Sequence, residues 1–583
     1  MKQFNKAIRT FLLMLVMVGT LVACGNNNVT GLFNPGTYEG SGRGFGGEIT
    51  ATISVTSDEI TDIQVNADQE SDGFGPGAVE SIVTQVLTTQ SLIVDSVSGA
   101  TITSEGTIDA ITEALENAGA DLEALRNPEN KIAIETNQQK DLEVDVVVVG
   151  SGGAGLASAI EAAEAGKTVV ILEQMPIIGG NTLRATGGMN AAQTSAQAEL
   201  GIEDTKELFF DDAFRGGQEK NNVELLQILV DNSSDAIEWV NSLGAGLTDV
   251  IPFGGQTVNR THRPVDGSAA GPVLVDVLST RLEALDVEIL LNTTVMNLLE
   301  EAGRIGGVEA VDSTGETFTV TADAVILATG GFGANSEMVE AYREEFIGFH
   351  TTNHMGAMGS GIRMAETVGA GLVDMVEIQT HPTTDPESGY MFTEAIRGNG
   401  GILINAEGER FVNELDTRDV VSQAIVSQST GQAFLVVNDA IVSVNASLAR
   451  NIENGFGVKG ETIEALAEEM GVDAQLLKET MASYAQFVEE GIDQDFGRAS
   501  LIEPLTDGAF YAIPVIPSIH HTMGGVNIDT EARVLDTEGN QIPGLFAAGE
   551  ITGGIHGTNR LGGNALADII VFGRIAGKSA AAQ

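Results

Sequence analysis

Three patterns of apolar and polar positions follow one another along the chain, and each predicts a different element. Within residues 37–65, EITATISV and ITDIQV alternate apolar and polar residues on either side of a DE turn, the period of half-buried antiparallel strands. Residues 78–89 and 104–116 instead read as helices. Further on, VDVVVV at 144–149 is almost continuously apolar, the composition of a strand covered on both faces, and it runs into a glycine cluster and an alanine-rich helical stretch. A second strand of this kind covers 167–172. Between 117 and 142 the periodicity lapses into a polar stretch containing Asn127, Pro128 and TNQQKD, with only a short helix near Leu122. Such a stretch is expected to be a tether long enough for the small domain before it to move.

The first residues have another logic. Lys2, Lys6 and Arg9 precede an apolar run at 11–22 that is short for a membrane-spanning helix, the pattern of an export signal. It ends in LVAC at 21–24, followed by GNNN, which resembles the lipobox of bacterial lipoproteins. The resemblance implies cleavage after residue 23, lipidation of Cys24 and an extracytoplasmic protein anchored to the cell membrane by lipid. Cys24 is the only cysteine of the 583 residues, so disulfides, cysteine zinc sites and CxxCH haem attachment are excluded. A net charge of -53 excludes the basic face that a nucleic-acid partner requires.

The glycines after the first buried strand, Gly150, Gly152, Gly153 and Gly155 with Ala154 among them, form a GxGxxG turn between strand and helix. In that context the glycines permit a tight turn and let a pyrophosphate sit on the helix N-terminus, and Glu173 stands at the spacing of the acid that binds the adenosine ribose. The segments that follow point to FAD. IIGGNTLRATGGMN at 177–190 resembles the stretch beside the isoalloxazine in the fumarate reductase and succinate dehydrogenase flavoprotein family, and VILATGGFG at 325–333 resembles its second FAD strand and turn. GLFAAGEITGGIHGTNRLGGNALAD at 544–568 supplies the C-terminal part of the same site. The resemblance implies non-covalent FAD held by the GxGxxG residues, Glu173, Gly180, Asn181, Thr182, Gly187, Gly188, Val295, Thr329, Gly330, Glu550, Ala565 and Leu566. The last two open a helix whose N-terminus would stabilise negative charge on the reduced flavin.

Earlier in the chain, Asp95, Ser98, Gly99, Ala100 and Thr101 match the DxxSGAT pattern of the FMN-binding domains of sodium-pumping quinone reductase subunits and related exported flavoproteins. In that family the last threonine is esterified by the FMN phosphate, which implies covalent FMN on Thr101 and a flavin transferase to attach it. A hydroxyl just before a helix suits a phosphate, because free backbone N–H groups point there.

With HHTMGG at 520–525, these motifs resemble the soluble flavocytochrome-type fumarate reductases over most of residues 143–583. The fold implied is α/β: a Rossmann-like FAD-binding domain in two parts (143–377 and 516–583), an inserted α+β clamp domain (378–515), and a small α+β FMN-binding domain (34–125) joined by a linker (126–142). The same resemblance places one substrate carboxylate on His381 and Thr393 against Met391, and the other on His521 and Arg560 beside Gly563. It makes Arg418 the proton donor, with Glu394 and Arg397 as its relay. Arginines are scarce here, with 29 Lys and Arg against 82 acids, so those in MFTEAIRGNGGILINAEGERFVNELDTRD at 391–419 call for a reason. The chemistry supplies one: hydride addition to an alkene dicarboxylate builds charge on a molecule that is already a dianion, and fixed cations at both ends stabilise that charge.

The expected function is an exported reductase passing electrons from a membrane-associated quinol or NADH dehydrogenase system through FMN and FAD to a small dicarboxylate, fumarate giving succinate. The alternatives are reduction of another enoate of the urocanate or acrylate type, and a non-catalytic extracellular flavin electron carrier. Phe253 stands where methionine is expected in this family, which bears on substrate size. His350, His354 and His520 read as structural, and His262 with Arg263 as candidates for the flavin face or the cavity mouth.

Overall fold

In the computed structural model, residues 32–70, 74–97, 100–131 and 141–583 are described. Cys24, Ser98, Gly99 and most of the expected tether lie outside them.

The small domain is a three-stranded antiparallel sheet of Gly36–Arg43, Glu48–Val55 and Ile60–Asn66, with the helices Phe74–Thr89 and Thr101–Asn117 following it. The second helix lies directly on the first strand because two glycines clear its path: a Cβ on Gly40 would come 2.3 Å from Ala110 O, and one on Gly42 2.0 Å from Gly106 O. Ile49, Ala51, Ile53 and Ile63 of the sheet meet Ala110, Ile111 and Ala114 of that helix in a separate core.

The second unit is built on an eight-stranded sheet. Leu142–Val149 pairs in parallel with Val169–Leu172 on one side and Thr317–Leu327 on the other, and Gln541–Ala547 extends the parallel set beyond Thr317–Leu327. Val146, Val147 and Val148 are fully buried, as an uninterrupted apolar run requires when helices cover both faces. The last helix, Asn564–Ala581, crosses the first, Gly153–Glu164, at close range, because Gly573 and Gly577 carry no Cβ to meet Ala154 O and Ser158 O. That crossing brings the C-terminal residues to the glycine turn they share a cavity with.

The inserted unit has a five-stranded sheet in which Phe510–Thr522 pairs with Ala433–Asn438 along its first half and with Ile378–Thr384 along its second. This 13-residue strand runs through the expected 515/516 boundary. Its register sets Gln379 opposite His521 and His381 opposite Ser518, so side chains some 140 positions apart in sequence become neighbours. The helix Arg418–Val426 packs on these strands and carries Arg418 at its first residue, where the side chain is buried beside them.

Candidate active site

Two cavities meet between the second and third units. The first is lined by Gly150, Gly152, Gly153, Ala154, Glu173, Gly180, Val295, Thr329 and Gly330. Its chemistry suits a dinucleotide. The helix Gly153–Glu164 has no side-chain cap at its N-terminus, a Cβ on Gly180 or Gly330 would meet nothing within 4 Å, and the buried Thr329 hydroxyl has no partner. Bare backbone N–H groups at a helix start are what a pyrophosphate needs. Gly155 lies behind this wall and serves packing, since a Cβ there would stand 2.0 Å from Gly150 O. The Glu173 carboxylate is held by Ser151 N and Oγ at 2.8 and 2.6 Å and borders the cavity. His354, expected to be structural, also lines this cavity; burial and the Arg184 cation lower its pKa to about 4.

Asn181, Thr182 and Glu550 belong to both cavities, so the two spaces adjoin. The second is lined by Gly187, Gly188, Ala565 and Leu566 together with His381, Met391, Thr393, Glu394, Arg418, His521, Arg560 and Gly563. All the residues expected at the two ends of a substrate therefore face one space. Arg397 does not; it lies fully buried behind Glu394, with Nη2 3.9 Å from Glu394 Oε2.

Arg418 is fully engaged. Its Nε and Nη2 reach Glu394 Oε2 at 3.0 and 2.9 Å, and its Nη1 donates to Gln379 Oε1 at 3.1 Å. The same Gln379 oxygen accepts from Arg560 Nη2 at 3.1 Å, so one neutral amide ties together the arginines of the two units. The Glu394 carboxylate also accepts Gly254 N–H at 3.1 Å. Burial pushes the Glu394 carboxyl up, but Arg418, Arg397 and Gly254 more than offset it and leave it below its ordinary value. Arg397 is lowered by burial and by the Arg418 and Arg498 cations, against the pull of Glu394 and Glu414. Burial and the nearby Arg418 lower Arg560 to about 9.

His381, His520 and His521 are all held well below the usual imidazole value by burial first and by the surrounding arginines second, so each is neutral. Because Thr383 N–H donates to His381 Nδ1 at 3.3 Å, the neutral ring carries its proton on Nε2 and can donate from there. Among the side chains lining this cavity, His521 Nδ1 and Arg560 Nε are buried without a hydrogen-bond partner, as is Asp568 Oδ1. Unsatisfied groups of this kind are costly unless a ligand meets them.

Other residues of the site were not legible beforehand. Gln379 shares the alternation of strand Ile378–Thr384 with His381, and that period of two was the available signal. His520, expected to be structural, lines the cavity while its Nδ1 meets Thr352 Oγ1 at 2.7 Å. Behind Arg397 stands a buried ion network: Arg410 and Arg498 both pair with Glu414, at 2.8 and 3.1 Å, and Arg410 also with Asp493 at 3.0 Å. Glu414 O accepts from Arg397, and Arg397 O accepts from Arg498. Two candidates fall away. His262 lines neither cavity and bonds Thr194 Oγ1 and Arg260 O, while Arg263 pairs with Asp249. Both satisfy local loop and strand contacts instead. Phe253 does enter the wall, over Gly187 and Gly562, where an added Cβ would come 2.9 and 2.7 Å from its ring.

In the small domain, Thr101 is exposed at the start of Thr101–Asn117, a helix with no side-chain cap. An acceptor hydroxyl beside free N–H groups fits a phosphate ester.

Comparison with known proteins agrees with this arrangement. The FAD binding domain family matches residues 145–566 and the FMN-binding domain family residues 44–116. An NADH:fumarate oxidoreductase of Klebsiella pneumoniae is 42% identical over 94% of this chain, which spans only 59% of that relative's length. A fumarate reductase (cytochrome) of Shewanella frigidimarina is 45% identical over 75% of this chain and 77% of its own. A urocanate reductase of Eggerthella lenta is 37% identical over 94% and 92% respectively. Among solved structures, the open conformation of a flavocytochrome c3 fumarate reductase aligns with a TM-score of 0.66 and 39% identity, covering 76% of this chain and 79% of that one. The chain is an oxidoreductase with an FMN-binding domain and an FAD-binding domain, and it belongs to the flavocytochrome-type fumarate reductase flavoprotein family.

Proposed function

We propose that this protein reduces fumarate to succinate. The observation that carries the reading is a single cavity bordered by His381, Thr393, His521 and Arg560, with His521 Nδ1 and Arg560 Nε left without a partner, which shares Asn181, Thr182 and Glu550 with the cavity suited to FAD. When bound, FAD supplies the hydride that adds to one alkene carbon. The side chains do the rest. Neutral histidines and Arg560 hold the carboxylates, and Arg560 stabilises the charge that builds on one of them. Met391 packs against the substrate, and the guanidinium of Arg418 gives a proton to the second alkene carbon. Glu394, already bonded to Arg418, restores that proton and draws its own from Arg397.

In this reading FMN is esterified to Thr101 by a flavin transferase and receives electrons from a membrane-associated quinol or NADH-linked system. The protein is anchored outside the cytoplasm by lipid on Cys24; the support is the LVAC sequence.

Phe253 favours a second reading, reduction of a different enoate such as urocanate, because an aromatic wall suits a flat ring as well as a short acid. A non-catalytic carrier is disfavoured by the buried succession of Arg418, Glu394 and Arg397, in which Glu394 is bonded to Arg418 and lies 3.9 Å from Arg397. Arg418→Ala tests the assignment of the acid. It is expected to abolish turnover with FAD retained, and residual activity within about tenfold of the parent would refute the role, since acid catalysis by a positioned group contributes roughly a hundredfold or more. For Thr101→Ala, loss of the flavin adduct from the intact mass is expected, and retention of it would overturn the attachment site.

A further inference from the structure

The tether invites the expectation of a small domain that swings. The structure shows that domain in contact with the rest of the chain at two places. Ala78, Val97 and Ala100 form one buried apolar cluster with Ile177, and Leu183 packs against it from the side. Ala100 immediately precedes Thr101. Ile177 and Leu183 bracket Gly180, Asn181 and Thr182, which line the cofactor cavities. The second contact is made by the turn between the first two strands. Phe45 O accepts from Asn454 Nδ2 at 3.0 Å, and its ring centroid lies 5.5 Å from that of Tyr390, which stacks on Phe456. One contact is with the FAD-binding unit and the other with the inserted unit, and two separated contacts fix an orientation where one would leave a pivot.

We propose that the small domain works from this seat: the contact of Ala78, Val97 and Ala100 with Ile177 is the position from which Thr101 serves the FAD cavity, and turnover does not require the domain to leave it. The proposal rests on the reading that Thr101 bears FMN. Per alkene reduced, two electrons pass across this seat from the reduced flavin at Thr101 to the oxidised one in the main cavity. They end, with two protons, on the two alkene carbons, and the released protons of the first flavin go to solvent.

A crosslink tests it. A Cβ on Gly77 would stand 3.7 Å from Ile177 Cβ, inside the range of about 3.5–4.5 Å that a disulfide needs. Cys24 is the one native cysteine, so Gly77→Cys with Ile177→Cys adds a single defined pair. In the full-length flavin-loaded double variant, mild oxidation is expected to close the bond nearly completely, by free-thiol count and intact mass, with FAD content unchanged. Neither readout depends on the flavins' chemistry or on the substrate. Failure of the bond to close, while each single variant folds and holds FAD, would overturn the seat. The bonded protein, photoreduced at both flavins and mixed with excess enoate under nitrogen, is expected to reoxidise both at rates within about threefold of the same sample treated with dithiothreitol. Rapid reoxidation of one flavin, with the other waiting for dithiothreitol, would show that the domain must swing and would refute the proposal. If the untreated parent fails to reoxidise either flavin with any enoate, the proposed function fails instead, and the thiol count still decides the seat.

Discussion

Glu394→Gln is the most informative single change. The carboxylate lies between two buried cations, with Arg418 at 2.9 and 3.0 Å and Arg397 at 3.9 Å. At an effective dielectric of about 20, unit charges at those separations attract by roughly 6 and 4 kcal/mol, less what desolvation takes back. Glutamine keeps the shape and an acceptor for Gly254 N–H, but it removes the charge and the titratable proton. Breaking a buried pair in this way costs about 3–5 kcal/mol of stability, visible as a lower melting temperature. Loss of the relay should cut kcat by about 10²–10⁴-fold, equivalent to roughly 3–5 kcal/mol on the barrier. Binding should move the other way: with the nearest anion gone, a dianion meets a more positive cavity, so a non-reacting dicarboxylate such as malonate should bind more tightly. Stopped-flow reoxidation of the reduced protein gives the rate, and perturbation of the flavin spectrum by malonate gives the affinity. A variant that holds FAD and turns over within about threefold of the parent would refute the relay. One that loses malonate binding along with turnover would show that Glu394 shapes the cavity and does not conduct protons.

Two further outcomes follow from burial. His381, His520 and His521 are neutral when folded and recover the ordinary value when unfolded, so between about pH 5 and 7 the unfolded chain binds more protons and stability must rise with pH. The slope approaches about 1.4 kcal/mol per pH unit for each histidine at the acid end of that window, partly opposed by Glu550, whose carboxyl burial raises. Denaturant midpoints measured across it without dicarboxylate should climb and level off above about pH 7.5; a flat profile would mean the histidines are not buried neutral. Glu414→Gln strips the shared anion from Arg410 and Arg498, and the melting temperature should fall by several degrees, corresponding to about 3–5 kcal/mol. Because Glu414 O and Arg498 also hold Arg397, kcat should fall while the KM for substrate changes little; unchanged kcat would assign the network to stability alone.

The parts of this molecule that could be read from sequence are those in which local composition and local structure coincide. VDVVVV is apolar because both faces of its strand are covered, and the glycines after it are there because the chain turns and a helix packs close. The motif residues His381, Thr393, His521 and Arg560 could be named, but their meeting is tertiary: the pairing of Phe510–Thr522 with Ile378–Thr384 joins the strands of His521 and His381, and Thr393 and Arg560 reach the same cavity from outside those strands. What escaped was what has no local signature. Gln379 is an ordinary neutral residue until two arginines from different units converge on its oxygen. The pairing of Glu414 and Arg410 with Asp493 and Arg498 escaped too, because nothing in the sequence tells a solvated ion from a buried one or says which distant charge will meet it. His262 shows the reverse error: beside arginine in a short motif it resembled a site residue, yet both its nitrogens are used up holding neighbouring chain.

Fumarate as substrate requires a cavity that takes two carboxylates flanking a double bond, and a substrate panel addresses this directly. With reduced viologen as donor, the initial rate of dye oxidation is compared for fumarate, urocanate, acrylate and methacrylate at equal concentration. Turnover of fumarate at least about a hundredfold above every monocarboxylate is the expected result, because each lost carboxylate strands buried donors at one end of the site. Turnover of a monocarboxylate with fumarate left unreduced would contradict it.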